Sequence, residues 1–330
     1  MPRKIISYIL GCRLENVMAF GFSSVLLVFF LTTRIFVSFQ LNGHDIIFIL
    51  LPVGVLGVKT LLQMLSASNA DAETNLDAKT FLASFFKPLA KIVHDWLPFL
   101  LLSACYYALY TNLMLRINPH TADAFLSKID AAILGNQPSF LLEPWINPWL
   151  TDFFNLVYFS YVFSLPAVAL FLYLKKRETI FRRVMMGYLT LMLMGITSYL
   201  LVPAVGPASY FADRYTTDLS GHAISRGVDY VIWAGRVGYD CFPSLHVGIP
   251  VLLSLYLRDY WKKLFVPALI YVALMCGATI YLRYHYLVDV IAAFFYAPAA
   301  YWLNDFLLAK WPGERILAAA VKNPEPKQAS

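Results

Sequence analysis

Long apolar runs separated by short polar and basic clusters dominate this chain. About 20 consecutive apolar residues cross a hydrocarbon core as a helix. The pattern predicts helices near 17–39, 45–65, 96–115, 153–174, 184–203, 244–258, 264–282 and 287–308. Two polar, mixed segments, 66–95 and 116–152, interrupt them. The second carries a helical period near 122–135, with Phe125, Leu126, Ile129 and Ile133 on one face. A helix of this kind lies along the membrane interface rather than across it. A transmembrane β-barrel would show alternating segments of about ten residues, and the chain has none of that pattern. The expected fold class is therefore all-α, a polytopic transmembrane helical bundle of about eight spans. Its expected parts are N-terminal helices with a connector (1–95), a catalytic membrane domain (96–310) and a polar cytoplasmic tail (311–330).

Composition agrees with the pattern. The chain is 59% hydrophobic and 14% charged, with mean hydropathy +0.62, whereas soluble domains are about a quarter charged. The run after Pro2-Arg3-Lys4 is broken by Arg13, Glu15 and Asn16, so the first span is read as a retained anchor, not a cleaved leader. Cys12, Cys105, Cys241 and Cys276 are scattered and suggest neither a zinc site nor a disulfide framework. The net charge of +6 sits in clusters between apolar runs, which reads as a topology signal and not as a nucleic-acid surface. Nineteen of the 26 Lys and Arg residues fall on one side of the expected bundle and seven on the other. The positive-inside rule then puts both termini in the cytoplasm. The loop 204–243, His246, His285 and Asp289 fall on the non-cytoplasmic side. The hydropathy does not divide into matching halves, which argues against an inverted-repeat transporter.

Two short stretches carry the chemistry: Phe242-Pro243-Ser244-Leu245-His246, and Tyr281 to Asp289 with Arg283, Tyr284 and His285 between. One helical hairpin separates them, so both histidines are expected at the same membrane face. His285 and Asp289 are spaced i, i+4 and share a helix face. A carboxylate on one imidazole nitrogen fixes the tautomer and raises the basicity of the other, and imidazole is a competent nucleophile toward phosphorus. Pro243-Ser244 reads as a helix start, where backbone N–H groups and the Ser244 hydroxyl form an anion site. His246 in that first turn can protonate a leaving oxygen. Arg283 is a candidate phosphate clamp. The Pro/Gly-rich loop from Pro203 to Tyr210 places Arg214, His222, Arg226 and Arg236 above the same site, and Arg226 and Arg236 join Tyr210 as substrate-binding candidates. Each feature also has a plainer use: a His–Asp bond pinning a helix end, a capped helix with an interfacial histidine, a snorkelling arginine. Tyr210, Tyr281, Trp145, Trp149 and Trp233 also fit an interfacial aromatic belt.

Ser244-x-His246 followed by His285-x-x-x-Asp289 resembles the type 2 phosphatidic acid phosphatase (PAP2) superfamily. The Ser-Leu-His and Tyr-His-Tyr forms and the Pro-x-x-Gly-Pro-x-x-Tyr loop at 203–210 look like its inositol phosphorylceramide synthase branch. So do Phe125 to Gly135 and Pro144 to Leu150. The resemblance covers about residues 120–308. It implies a six-helix catalytic core, a phosphohistidine on His285 oriented by Asp289, His246 as acid, Ser244 holding phosphate, and neither metal nor cofactor. The implied donor is a lipid phosphate or phosphoinositide, the acceptor a lipid or polyol alcohol or water, and the setting membrane lipid. The superfamily's Lys-x6-Arg-Pro motif has no match here, since Lys175, Lys176, Arg182 and Arg183 fall on the cytoplasmic side. Ala278 and Thr279 replace the Ser-Arg that usually opens the last motif, and Arg283 stands as the candidate substitute. A transporter or scaffold is the reading from another class. Its marks would be midspan charges and broken helices, and the chain has few.

Overall fold

The computed structural model describes residues 8–33, 54, 58, 78–112, 118–222, 225–228 and 238–314. The expected helix at 45–65, apart from two isolated positions, lies outside the described residues, as do Arg236 and residues 315–330. Among the described residues the chain is helical, with one isolated bridge between Ala204 and Asp240. The longer helices are α1 (Leu14–Thr33), α2 (Ala78–Asn112), α3 (Asp123–Leu134), α4 (Pro148–Leu174), α5 (Glu178–Leu201), α6 (Leu245–Tyr260), α7 (Lys262–Tyr281) and α8 (Leu287–Lys310). Of these, α1, α4, α5, α7 and α8 are long and apolar enough to cross a membrane, while α6 has only 16 residues. An integral membrane protein follows from these helices, with five candidate spans among the described residues.

Local sequence sets where the helices start. α4 begins five residues before the apolar pattern because Asn147 caps it, accepting the Leu150 N–H at 3.0 Å, and Pro148 occupies the first turn. Ser244 caps α6, and at the start of α8 the Asp289 carboxylate reaches back to the Tyr286 N–H at 2.8 Å.

α6 sits in the middle of the bundle, against α4, α5, α7 and α8, and the α1–α2 pair docks on α5 through α2. Lipid is as apolar as the side chains, so burial alone does not hold such helices together; close packing and interhelical polar contacts do. Close packing is visible where α5 meets α6. A Cβ on Gly187 would lie 2.0 Å from the Tyr256 hydroxyl oxygen, and one on Gly195 would lie 2.7 Å from Leu245 Cδ1. The polar contacts concentrate at the N-terminal end of α5. There Arg183, 5% exposed, donates to Asp305 at 2.9 and 2.6 Å, to Asp259 at 3.1 Å and to the hydroxyls of Tyr260 and Tyr301. Arg182 donates to Glu15 and Glu314. At the other end of α5, Tyr199 donates to the Pro243 carbonyl at 3.0 Å. Sixteen residues separate Arg183 from Tyr199, about 24 Å of helix, so these arginines and the Pro243-Ser244 turn lie at opposite ends of the bundle.

α3 covers the expected 122–135 segment and buries part of each face. Its buried residues are Asp123, Leu126 and Asp130, while Phe125 and Ile133 are more than half or half exposed. Of the apolar stripe, Phe125 and Ile133 face outward while Leu126 is buried, and the acidic pair faces the protein, where it meets backbone N–H groups. The Asp123 carboxylate accepts from the N–H groups of Val205 and Gly206, both at 3.0 Å, and from the Tyr286 hydroxyl at 2.9 Å. Asp130 accepts from the N–H groups of Leu287 and Val288 at 2.8 and 2.9 Å, at the N-terminus of α8.

Candidate active site

The starts of α6 and α8 converge. The Ser244 N–H donates to the Asp289 carbonyl at 3.1 Å and ties the two helix starts together. One turn into α6, His246 Nδ1 lies 3.2 Å from His285 Nε2. Behind His285, its Nδ1 lies 2.9 Å from the Cys241 carbonyl and 3.4 Å from Asp289 Oδ2. His285 is 4% exposed, and Ser244 and Asp289 are fully buried. Ser244, His246, His285 and Asp289, taken from two stretches of sequence, thus form one cluster.

The contacts fix the protons. A carbonyl only accepts, so His285 Nδ1 carries the hydrogen, and Nε2 of the neutral ring is a lone pair aimed at His246. His246 Nδ1 then donates to it, which leaves His246 Nε2 as the acceptor. The Tyr158 hydroxyl, 2.8 Å away, supplies the matching donor. The Tyr158 ring stacks on His246 at 4.5 Å between centroids, and Tyr161 lies at 4.5 Å as well. The Cys241 thiol donates to Asp289 Oδ2 at 2.9 Å. Burial, with the Asp289 carboxylate beside it, pushes that thiol well above the ordinary cysteine range, so it stays a neutral donor. Cys241 Sγ, His285 Nδ1 and Asp289 Oδ2 lie within 4.8 Å of one another, a spacing that could hold a cation. In the protonation state just derived, two of the three are hydrogen-bond donors, not metal ligands.

The loop over the site is held at three points. Asp123 grips it at Val205 and Gly206. Gly206 has φ +82°, and a Cβ there would sit 2.7 Å from the Tyr284 carbonyl, so only glycine fits. On α4, Asp152 accepts from His222 Nδ1 at 2.8 Å, from the His222 N–H at 3.0 Å, and from the N–H and hydroxyl of Ser225. Arg283, 6% exposed, supplies the third point. Its Nη2 donates to Glu143 at 3.1 Å and to the Thr217 carbonyl at 2.7 Å, and its guanidinium lies 3.7 Å over the Tyr215 ring. Burial lowers the Arg283 pKa. Burial also pushes the Glu143 carboxyl up, but the Thr216 and Thr217 N–H groups, the Thr216 hydroxyl and Arg283 outweigh it and hold the group below the usual carboxylate range.

The remaining substrate-binding candidates lie as follows. Arg283, the candidate phosphate clamp, pairs with Glu143 and the loop. Arg226 is exposed on a short helical turn at 225–228, and Arg214 lies over the Phe211 ring. The Tyr210 ring is 42% exposed and packs edge-on against Phe211 at 4.8 Å. Among the described residues, no hydrogen bond, ion pair or ring contact joins these three side chains to the histidine pair. Tyr158, Cys241, Asp123, Asp130 and Asp152 were missed as site-building residues. For the α4 residues the signal was present: Asp152, Asn155 and Tyr158 recur at helical spacing in an otherwise apolar span, where polar groups are usually functional.

No curated protein and no solved structure proved similar to this chain. The sequence profile of the PAP2 superfamily matches residues 124–303, which run from the first turn of α3 into α8 and include every residue of the histidine cluster. The chain belongs to the PAP2 superfamily.

Proposed function

We propose that this chain is an integral membrane phosphotransferase that acts on lipid phosphate esters through a phosphohistidine, with its site on the non-cytoplasmic side. Members of the superfamily are generally phosphatases or phosphotransferases. The observation that carries the reading is the facing pair, His285 Nε2 against His246 Nδ1 at 3.2 Å, with His285 backed by the Cys241 carbonyl and Asp289.

In this reading a phosphoryl group parts the two rings. The Nε2 lone pair of His285 attacks phosphorus, a P–N bond forms, and the P–O bond to the lipid alcohol breaks. With the phosphate bound, His246 enters the step as an imidazolium, its Nε2–H donated to the Tyr158 oxygen, and the departing oxygen takes its Nδ1 proton, which returns the ring to neutral. Asp289 and the Cys241 carbonyl hold the positive charge that develops on His285. In the second step an acceptor oxygen gives its proton to His246 and attacks phosphorus, and the P–N bond breaks. A lipid or polyol alcohol as acceptor gives a new phosphodiester, as in phosphoinositol transfer. Water as acceptor gives a phosphatase releasing inorganic phosphate from a simple phosphomonoester. The two outcomes use the same groups and differ in how far the alcohol excludes water. The inositol phosphorylceramide synthase-like loop sequence at 203–210 supports transfer.

The test uses purified chain in detergent with labelled phosphatidic acid or phosphatidylinositol, with and without ceramide. A new labelled phosphodiester identifies transfer, and free phosphate identifies hydrolysis. His285→Ala and Asp289→Asn are expected to lower either rate by at least about a hundredfold while the protein still folds. A variant that keeps the wild-type rate overturns the assignment.

A further inference from the structure

Four buried polar side chains line one side of α4: Thr151, Asp152, Asn155 and Tyr158. Three have evident work. Thr151 meets the Tyr281 hydroxyl at 3.0 Å. Asp152 anchors the loop, and Tyr158 meets His246. Asn155 is 1% exposed, and among the described residues neither its amide nitrogen nor its amide oxygen has a hydrogen-bond partner. A buried amide with both ends unmet is rare and costly, and in a native protein it calls for an explanation.

Placement supplies one. Asn155 lies three residues before Tyr158 on a shared helix face, about 4.5 Å nearer the outer end of α4. Helical side chains lean toward the N-terminus, which here is the loop side of the histidine pair. A substituent esterified to a phosphate that parts His246 and His285 has room to extend to that side only past α4, where Asn155 stands in the proposed arrangement. The amide also constrains the partner. A phosphoryl oxygen only accepts and would satisfy the nitrogen alone, whereas a hydroxyl donates and accepts and satisfies both ends.

Building on the phosphotransfer reading, we propose that Asn155 is a specificity-determining residue that hydrogen-bonds a hydroxyl of the group esterified to the phosphate. The full chain in detergent is given phosphatidylinositol, whose headgroup carries hydroxyls, or phosphatidic acid, which has no headgroup. Diacylglycerol release reads both. Asn155→Leu, with the shape roughly kept and both polar ends removed, should lower kcat/KM for phosphatidylinositol about 10- to 100-fold. It should leave phosphatidic acid within about twofold and the melting temperature unchanged or higher. Asn155→Ala should show the same donor-selective loss. Equal losses on both lipids, or no loss on either, would overturn the proposal. If neither variant folds, competition on the wild-type chain decides. Inositol phosphate should inhibit release from phosphatidic acid at about tenfold lower concentration than methyl phosphate, and equal inhibition would count against Asn155. If the wild-type chain releases diacylglycerol from neither lipid, the phosphotransfer reading itself fails. Release from phosphatidic acid alone sinks only the Asn155 assignment.

Discussion

Tyr158 ends the proton chain that starts at the Cys241 carbonyl and runs through both imidazoles. Its hydroxyl meets His246 Nε2 and its ring stacks on the same imidazole, so it sets both the tautomer and the plane of the proposed acid. Tyr158→Phe keeps the stacking and removes only the hydrogen bond, worth about 1 kcal/mol or roughly fivefold in rate. Steady-state kinetics of diacylglycerol release should therefore show kcat about fivefold down with KM near its wild-type value. A variant that raises KM and leaves kcat alone would place Tyr158 in substrate binding instead. Chelation bears on the same cluster. The neutral Cys241 thiol and the protonated Nδ1 of His285 leave the trio as a hydrogen-bonded support. Dialysis against a strong chelator should therefore leave turnover unchanged, and a loss restored by zinc would contradict the scheme. Ser244, His246, His285 and Asp289 were legible because their types and spacings are unusual in an apolar chain. Tyr158 was harder to read: its helical spacing from Asp152 and Asn155 marks it, but aromatic residues make up 16% of the chain and hide one tyrosine among many.

At the scale of elements, α3 acts as a bracket. Asp123 holds the loop that covers the site, and seven residues on, two turns along the same face, Asp130 holds the start of α8 just before Asp289. The apolar periodicity found the helix and put Phe125, Leu126, Ile129 and Ile133 on one face, but did not mark the buried acidic pair. At a membrane interface the apolar stripe faces out and the polar one faces in, the reverse of a soluble helix, so the pattern alone gives the element but not its orientation. Asp130 also gives a pH signature. Burial pushes its carboxyl up to about 6 against the stabilising N–H groups of Leu287 and Val288, with the nearby Asp289 charge adding to the rise. The unfolded group titrates near 3.9, so the folded state binds the proton more tightly. The stability this contributes is complete below the unfolded value and is lost as pH rises through about 6. Thermal unfolding in detergent should show a melting temperature that falls between about pH 4 and 7. Asp130→Asn, which keeps one acceptor oxygen for the α8 start, should flatten that fall. An unchanged slope would place the titration elsewhere.

Across the whole molecule, two polar assemblies sit at opposite ends of α5. One is the closed ion cluster around Arg182 and Arg183, which carboxylates already neutralise. The other is the histidine cluster beneath the loop. Which helices carry each end was legible from apolar run lengths. The central position of α6 was not, because its 16 residues read as a weak span, whereas its contacts with four neighbours depend on small residues such as Gly187 and Gly195 on α5. In the proposed orientation, which rests on the expected split of nineteen Lys and Arg against seven, the Arg183 end faces the cytoplasm and α5 carries the histidines to the other leaflet. The consequence can be measured. In sealed vesicles of known orientation, a short-chain lipid phosphate that dissolves in water and does not cross the bilayer should be turned over only where the non-cytoplasmic face points outward. Vesicles of opposite orientation should become active only after detergent. Their cytoplasmic face carries most of the positive charge and attracts the anionic substrate more strongly, so electrostatic attraction alone favours the opposite result. Activity in those intact vesicles would mean that the histidine cluster opens to the cytoplasm, and the topology would have to be inverted.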